Sequence, residues 1–201
     1  GDKVEGVETN QGSIKTRMVI NAAGAWAGTL GNMAGVHIPI QPIRRQFFTT
    51  NPLRQIPKDF PFVIDFAKSL YFHREGEGLL IGMSNPDEKT SFDHDVDEEW
   101  ELTNLEAAIK RMPLLESASR ASHLAGLYEV TPDAHPIFGN THIEGFLVCA
   151  GFSGHGFMHG PIAGKLMSEV ILDGAFSTVD VSMLDLPRFD EGRSIKEYNV
   201  V

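Results

Sequence analysis

The stretch Cys149–Pro161 (CAGFSGHGFMHGP) constrains the fold most, because its glycines separate an apolar run from an amphipathic one. The run Phe146–Ala150 predicts a strand, and Ile162–Leu172 has the spacing of a helix, with Pro161 suited to its first position. A glycine-rich turn before a helix binds anions or polar ring edges, since free backbone N–H groups and the positive dipole end point outward. The alternative is a plain glycine-rich connection between strand and helix.

This turn lacks the dinucleotide-binding pattern G-x-G-x-x-G. Counting from Gly154, His159 stands where the third glycine is required, and the pattern occurs nowhere else in the 201 residues. The stretch also lies late in the chain, whereas a pyrophosphate-binding turn normally follows the first strand of its unit. The turn is therefore not the usual dinucleotide-binding fingerprint.

Composition indicates a globular protein and argues against several partners. The chain is 42% hydrophobic and 22% charged, and its net charge of −10 disfavours nucleic acid and anionic membrane surfaces. No apolar run approaches the length of a transmembrane helix. The single cysteine, Cys149, allows no intrachain disulfide and no cysteine zinc site, which predicts a reducing, cytoplasmic location.

The periodicity of apolar residues predicts strand-to-helix units at both ends and a strand-rich middle. Val4–Thr9 and Ile14–Ile20 predict a hairpin, and Trp26–Ala34 predicts a short helix. In the middle, several short strands accompany one helix over Asp97–Met112, whose acidic first turn suits the helix dipole. We expect the two ends to pack as one α/β layer and residues 36–130 to form a separate antiparallel sheet.

Three segments carry a resemblance to a known family: Val19–Trp26 (VINAAGAW), Gly126–Gly139 (GLYEVTPDAHPIFG) and Gly151–Phe157 (GFSGHGF). In this order and at this spacing they resemble the C-terminal half of the D-amino-acid oxidase superfamily of flavoproteins, which includes sarcosine oxidase, glycine oxidase and the β-subunit of L-proline dehydrogenase. The resemblance covers about residues 4–175. It is strongest to β-subunits of the proline dehydrogenase and sarcosine oxidase type.

The resemblance implies a mixed α+β and α/β fold of the glutathione-reductase type. It assigns residues 1–35 and 131–175 to an FAD-binding domain, 36–130 to an antiparallel substrate-binding domain and 176–201 to a mostly irregular tail. The N-terminal Rossmann βαβ unit of the family has no counterpart in this sequence. We therefore expect a C-terminal fragment that is inactive alone and needs the N-terminal FAD-binding half or a partner subunit.

The function implied by the resemblance is oxidation of the C–N bond of an amino acid or secondary amine, such as proline, sarcosine or glycine, by hydride transfer to FAD. Leu80 and Met158 stand where monomeric sarcosine oxidases carry lysines for oxygen reaction and substrate binding. The cysteine that links flavin covalently in those enzymes would fall near Gly126. These departures favour a dehydrogenase over an oxidase.

The resemblance also implies the site residues. FAD contacts fall on Ala23, Gly24, Trp26, Gly151, Gly154, His155, Gly156, Phe157 and Met158. Catalytic roles fall on Tyr128 and His155, and Tyr71 and Tyr128 border the amine, while Arg45, or its neighbour Arg44, would clamp a substrate carboxylate. The alternatives are a core aromatic for Trp26, a backbone-satisfying helix start for His155 and half-buried sheet residues for the tyrosines.

Other interpretations of the sequence remain open. His155 and His159 have i, i+4 spacing without a third ligand nearby, so no metal is expected. A catalytically inactive subunit or remnant would bind a partner protein through an apolar face around Val19, Ile20 and Phe146–Ala150. A flavoprotein acting on tRNA or a folate-linked substrate is a third possibility, and the acidic balance argues against tRNA.

Overall fold

The computed structural model describes residues 1–197, which divide into two compact units. The first unit contains residues 1–42 and 128–197, and the second contains residues 43–127. The chain passes between the units after Pro42 and after Leu127. No helix in the described part is long and apolar enough to cross a membrane.

The described chain forms ten strands and three α-helices. In order they are β1 Gly6–Thr9, β2 Gly12–Lys15, β3 Val19–Asn21, α1 Ala27–Met33, β4 Gln41–Thr50, β5 Val63–Asp65, β6 Leu70–Glu75, β7 Gly78–Met83, α2 Glu98–Arg111, β8 Arg120–Val130, β9 Ile137–Asn140, β10 Phe146–Ala150 and α3 Gly156–Leu172. Short 3₁₀ turns cover Gly24–Trp26, Pro113–Ser117, Ser182–Leu184 and Leu186–Arg188. The predicted mixture of helices with antiparallel sheet is confirmed.

Strand β10 is the centre of the first unit. It pairs in parallel with β3 and antiparallel with β9. Successive side chains point to opposite faces, so Phe146 and Val148 enter the core with α1, and Leu147 enters the core with α3. Burial on both faces contradicts the expectation that Phe146–Ala150 presents an apolar surface to a partner. Ile20 on β3 is 40% exposed.

The predicted hairpin differs from the structure in its second strand. Strand β2 ends at Lys15 and β3 begins at Val19, so the predicted run Ile14–Ile20 is two strands. Between them, Thr16 Oγ1 donates to the Met18 carbonyl (3.0 Å) and accepts from the Met18 N–H (3.2 Å). This local turn interrupts the ladder, and β3 then pairs with β10 instead of β1.

The second unit is a five-stranded sheet with α2 on one face. The strand order is β5-β6-β7-β4-β8, with antiparallel pairing of β5 to β6, β6 to β7 and β4 to β7. Alternate side chains, among them Phe72 and Ile81, form a core with Ala108 of α2. Helix α2 begins at Glu98, one residue after the predicted start, because Asp97 caps it: Asp97 Oδ1 accepts from the Trp100 N–H at 3.0 Å.

A buried ion pair anchors the segment 176–197 to the first unit. The Arg188 side chain is fully buried, and its Nε and Nη2 donate to the two carboxylate oxygens of Asp133 at 2.8 and 3.0 Å. Its other N–H groups donate to the carbonyls of Leu184, Asp185 and His135, each at 2.9 Å. Every guanidinium donor is therefore satisfied. The predicted tail also includes residues 198–201, which lie outside the described residues.

Removal of the buried Arg188 guanidinium should lower stability more than removal of an exposed guanidinium. We expect Arg188→Met to lower the free energy of unfolding of the intact protein by about 3–5 kcal/mol, because it leaves the buried Asp133 carboxylate unpaired. Arg193 pairs with Asp185 and Glu191 at the surface, so Arg193→Met is the matched control and should change stability little. Urea denaturation measures both, and equal effects would contradict this account.

The same pair should make stability depend on acid pH. Burial would raise the pKa of Asp133, but hydrogen bonds from Arg188 and from the N–H groups of Ile195 and His135 outweigh it and lower that pKa to about 2. The unfolded value is about 3.9, so the stabilisation is complete above about pH 4 and is lost as the pH falls towards 2. We expect the stability gap between wild type and Asp133→Asn to narrow across this window. A gap independent of pH would contradict the assignment.

Candidate functional site

The glycine-rich turn after β10 reverses the chain through left-handed backbone conformations. Gly151, Ser153 and Gly154 have φ values of +82°, +51° and +99°. Ser153 is the costly member, because a side chain disfavours this conformation. The Ser153 N–H donates to the Glu129 carbonyl at 3.3 Å, and its hydroxyl accepts from the Thr131 N–H at 3.3 Å. The end of β8 therefore holds the turn in place.

Helix α3 begins five residues earlier than predicted. It starts at Gly156, so Pro161 lies inside it rather than at its first position. Because proline has no N–H, the Phe157 carbonyl loses its helical donor there. The residues Gly156–Gly160, interpreted from the sequence as part of the turn, are instead the first helical turns.

The start of α3 has the properties of a ligand-binding helix terminus. The N-cap residue His155 makes no side-chain capping bond, and the first turn carries no acidic residue. Phe157 is 100% exposed and Met158 is 66% exposed, although both are large and apolar. The His155 ring is exposed and stacks on His159, with centroids 6.0 Å apart. Uncapped N–H groups beside exposed apolar side chains fit a flat ring with a polar, electron-rich edge.

Tyr128 lies against the turn. A Cβ on Gly154 would stand 2.7 Å from Tyr128 Cζ and closer still to another ring atom, so only glycine allows the ring this position. Thr131 makes a similar contact at Gly151, where a Cβ would overlap the threonine methyl group. The positions of these two glycines are explained by close approach as well as by positive φ.

The residues predicted to lie along FAD follow the neighbouring strand β3. Buried Asn21 orders this loop, because its Oδ1 accepts from the Ala23 N–H (3.3 Å) and its Nδ2 donates to the Ala27 carbonyl (2.9 Å). Gly24 has φ +53°, and Trp26 is 54% exposed, so Trp26 is not a core aromatic of this unit. Because β3 and β10 are parallel neighbours, both loops emerge at one carboxyl edge, where α/β sheets bind ligands.

The second unit carries the other predicted substrate residues. The half-buried Tyr71 ring covers Gly82 and stacks on Phe62, with centroids 5.9 Å apart. Half-buried Arg45 donates to the Arg44 carbonyl at 3.1 Å. Its neighbour Arg44 pairs with Glu88, Asp93 and Asp97 at 3.2, 3.3 and 3.5 Å. Arg44 is therefore engaged by an acidic loop.

Sequence reasoning missed the residues that support the turn. Glu129 and Thr131 hold Ser153, and Asn21 orders the Ala23 loop. The spacing of Thr131-Pro132-Asp133 was the available signal, since a polar turn between two strands with an aspartate indicates local hydrogen bonding. Cys149 lies on β10. Burial raises the pKa of its thiol to about 11, so it is a poor nucleophile.

Comparison with known proteins identifies the class. The chain belongs to the DAO family: the model of that family, described as FAD dependent oxidoreductase, matches residues 1–170. The cofactor and oxidoreductase class implied by the three sequence segments are therefore those of the family. The start of α3, which has no side-chain cap, and the exposed side chains of Phe157 and Met158 fit such a cofactor.

The relatives are enzymes of amine and amino-acid oxidation. The chain is 33% identical over 210 residues to human mitochondrial sarcosine dehydrogenase, covering 97% of this chain and 23% of that protein. It is 30% identical to mouse mitochondrial dimethylglycine dehydrogenase, covering 84% and 22%. The structure of L-proline dehydrogenase from P. horikoshii matches with a TM-score of 0.86 and 33% identity, covering 95% of this chain and 52% of that one. The chain thus spans about a quarter of these curated relatives and half of the solved chain.

The contact between Tyr128 and Gly154 can be tested against backbone strain alone. Gly174, at the other end of α3, also has positive φ (+77°) but open space around it. We expect both Gly154→Ala and Gly174→Ala to destabilise by about 1–2 kcal/mol through strain. Gly154→Ala should cost about 1–3 kcal/mol more, because it displaces the Tyr128 ring.

The double variant identifies the source of that extra cost. In a Tyr128→Ala background, Gly154→Ala and Gly174→Ala should destabilise equally, because the ring is gone. Urea denaturation of the two glycine variants against the wild type, and of the two double variants against Tyr128→Ala, measures the difference. An excess cost at Gly154 that persists without Tyr128 would contradict the proposed contact.

Proposed function

We propose that this chain is the C-terminal part of an FAD-dependent dehydrogenase that oxidises the C–N bond of an amino acid or secondary amine, with proline, sarcosine and glycine as candidate substrates. The observation that carries the proposal is the uncapped start of α3 at the carboxyl edge of β3 and β10. Membership of the DAO family and the names of the relatives support the reaction class.

Different residues of the first unit are assigned to different parts of the cofactor. FAD, when bound, accepts a hydride from the substrate α-carbon. Gly151 and Gly154 allow a close backbone approach, and the N–H groups of Gly156–Met158 stabilise negative charge at the ring edge. Ala23, Gly24 and Trp26 contact the rest of the cofactor from the neighbouring loop. His155, Phe157 and Met158 are assigned to contacts with the flavin ring.

The remaining candidates handle the substrate. The resemblance to the family assigns Tyr128 of the first unit and Tyr71 of the second unit to the amine. It assigns the Arg45 guanidinium, whose planar fork suits a carboxylate, to the substrate carboxylate. His155 lies at the helix start, where its exposed ring is available to orient a substrate or exchange a proton. A neutral amine needs no strong base, since its lone pair supports hydride loss from the adjacent carbon.

Two positions favour a dehydrogenase over an oxidase. Leu80, half-buried on β7, and Met158 offer no cation where oxidases of this type are expected to have lysines. Without such a charge, reduced flavin reacts slowly with oxygen and passes electrons to another carrier. We also propose that an N-terminal Rossmann half or a partner subunit completes the FAD site, and we place the protein in the cytoplasm on the single cysteine alone.

The direct test uses the full-length gene product that contains this chain. We expect it to purify with bound FAD, and we expect proline, sarcosine or glycine to bleach the flavin absorbance under anaerobic conditions. Rapid mixing with each amine, and with succinate as a non-amine control, ranks the substrates. A flavin-containing protein that none of these amines reduces would refute the substrate class, and a protein without flavin would refute the function.

The dehydrogenase assignment predicts a gain of function at Leu80. We expect Leu80→Lys to accelerate reoxidation of the reduced flavin by oxygen by about tenfold or more, because the resemblance places the oxygen-activating lysine of sarcosine oxidases at this position and a cation stabilises the charge that oxygen acquires. Leu80→Met is the matched control, since it keeps an apolar side chain of similar volume. Stopped-flow mixing of reduced protein with oxygenated buffer measures both rates. Fast reoxidation of the wild type, or no gain in the lysine variant, would contradict the assignment.

A further inference from the structure

The carboxylate of Glu129 reaches from the end of β8 to the glycine-rich turn. Its Oε1 accepts from the Phe152 N–H at 3.3 Å, while its main-chain carbonyl accepts from the Ser153 N–H, also at 3.3 Å. Side chain and backbone therefore bind adjacent residues of the turn. This double attachment fixes the position of the carboxylate relative to the start of α3.

The same oxygen lies beside the first residue of α3. A Cβ built on Gly156 would stand 3.7 Å from Glu129 Oε1, so carboxylate and helix start are near neighbours. The helix runs for 17 residues, and its first turn carries no acidic residue. A glutamate carboxylate is negatively charged at neutral pH, and a negative charge here offsets the partial positive charge of the helix terminus.

We propose that Glu129 tunes the bound flavin by opposing the negative charge that the ring acquires on reduction. This inference rests on the proposed function, which assigns the start of α3 to the flavin ring. The N–H groups of the first turn favour the electron-rich reduced ring, and the Glu129 carboxylate weakens that preference. Glu129 acts through the local field and the turn, so it is a positioning and tuning residue rather than a catalytic one.

Replacement by glutamine isolates the charge. Glu129→Gln keeps an Oε1 acceptor for the Phe152 N–H but removes the negative charge. In the full-length holoprotein, we expect Glu129→Gln to raise the ratio of the affinity for reduced flavin to the affinity for oxidised flavin by about two- to fivefold over the wild type. The bound flavin should therefore have a higher midpoint potential, measured by anaerobic reductive titration against a reference dye. Activity with an amine is not needed for this measurement.

Two further variants test whether the effect on the potential comes from the charge of Glu129. One removes its hydrogen bond to Phe152 but keeps the charge, and the other removes a distant charge. Glu129→Asp keeps the charge but shortens the side chain, so it should lose the bond to Phe152 while changing the potential less than Glu129→Gln does. Asp173→Asn removes a charge from the C-cap of α3, about 25 Å away along the helix, beyond the screening length of about 8–10 Å. Asp173→Asn should leave the potential unchanged.

Each outcome bears on a distinct claim. A potential that is the same in Glu129→Gln, Asp173→Asn and the wild type would overturn the role of Glu129 while leaving the proposed function intact. Loss of flavin from Glu129→Gln but not from Glu129→Asp would also overturn it, because the carboxylate would then hold the cofactor instead of opposing its charge. A wild-type protein that binds no flavin would refute the proposed function itself.

Discussion

The ion pair between Asp133 and Arg188 connects the turn after β8, which holds the glycine-rich turn in place, to the rest of the first unit. Asp133 also accepts from the N–H groups of His135 and Ile195, so the pair ties the turn after β8 to the segment 176–197. Thr131 begins that turn and holds Ser153, which stands in a costly left-handed conformation. The chain retains such a conformation only where its surroundings determine it strongly. The buried and fully hydrogen-bonded Arg188 side chain makes the surroundings of Ser153 rigid.

The physical chemistry of the site follows from this support. The glycine-rich turn delivers the chain to α3 so that the first helical N–H groups are uncapped and Phe157 is exposed. Family membership identifies the ligand class as FAD, and the helix start supplies partial positive charge where a reduced ring carries negative charge. Glu129 brings the opposite sign to the same place. Two opposing charges on a fixed backbone are a means of setting a redox potential without touching the reacting atoms.

Local sequence patterns predicted most elements and the family, and each feature that they missed has its own physical cause. Periodicity placed α2 and the short strands of the second unit well, because capping and amphipathic spacing are local signals. The start of α3 was misplaced because Pro161 is a strong signal for a first helical turn, yet the helix accommodates it internally. The strand Ile14–Ile20 was split by a threonine turn, and buried Arg188 depends on Asp133, a residue 55 positions away. The long-range pairing of Arg188 with Asp133 leaves no periodic trace in the sequence.

Amide hydrogen exchange tests the central claim, that the start of α3 holds the flavin ring. The full-length protein would be compared with and without FAD, following peptides that cover residues 151–160 and, as an internal reference, α2. The account predicts that FAD slows exchange at Gly156–Met158, because their uncapped N–H groups then have a partner. Unchanged exchange in this segment, with FAD demonstrably bound, would contradict it.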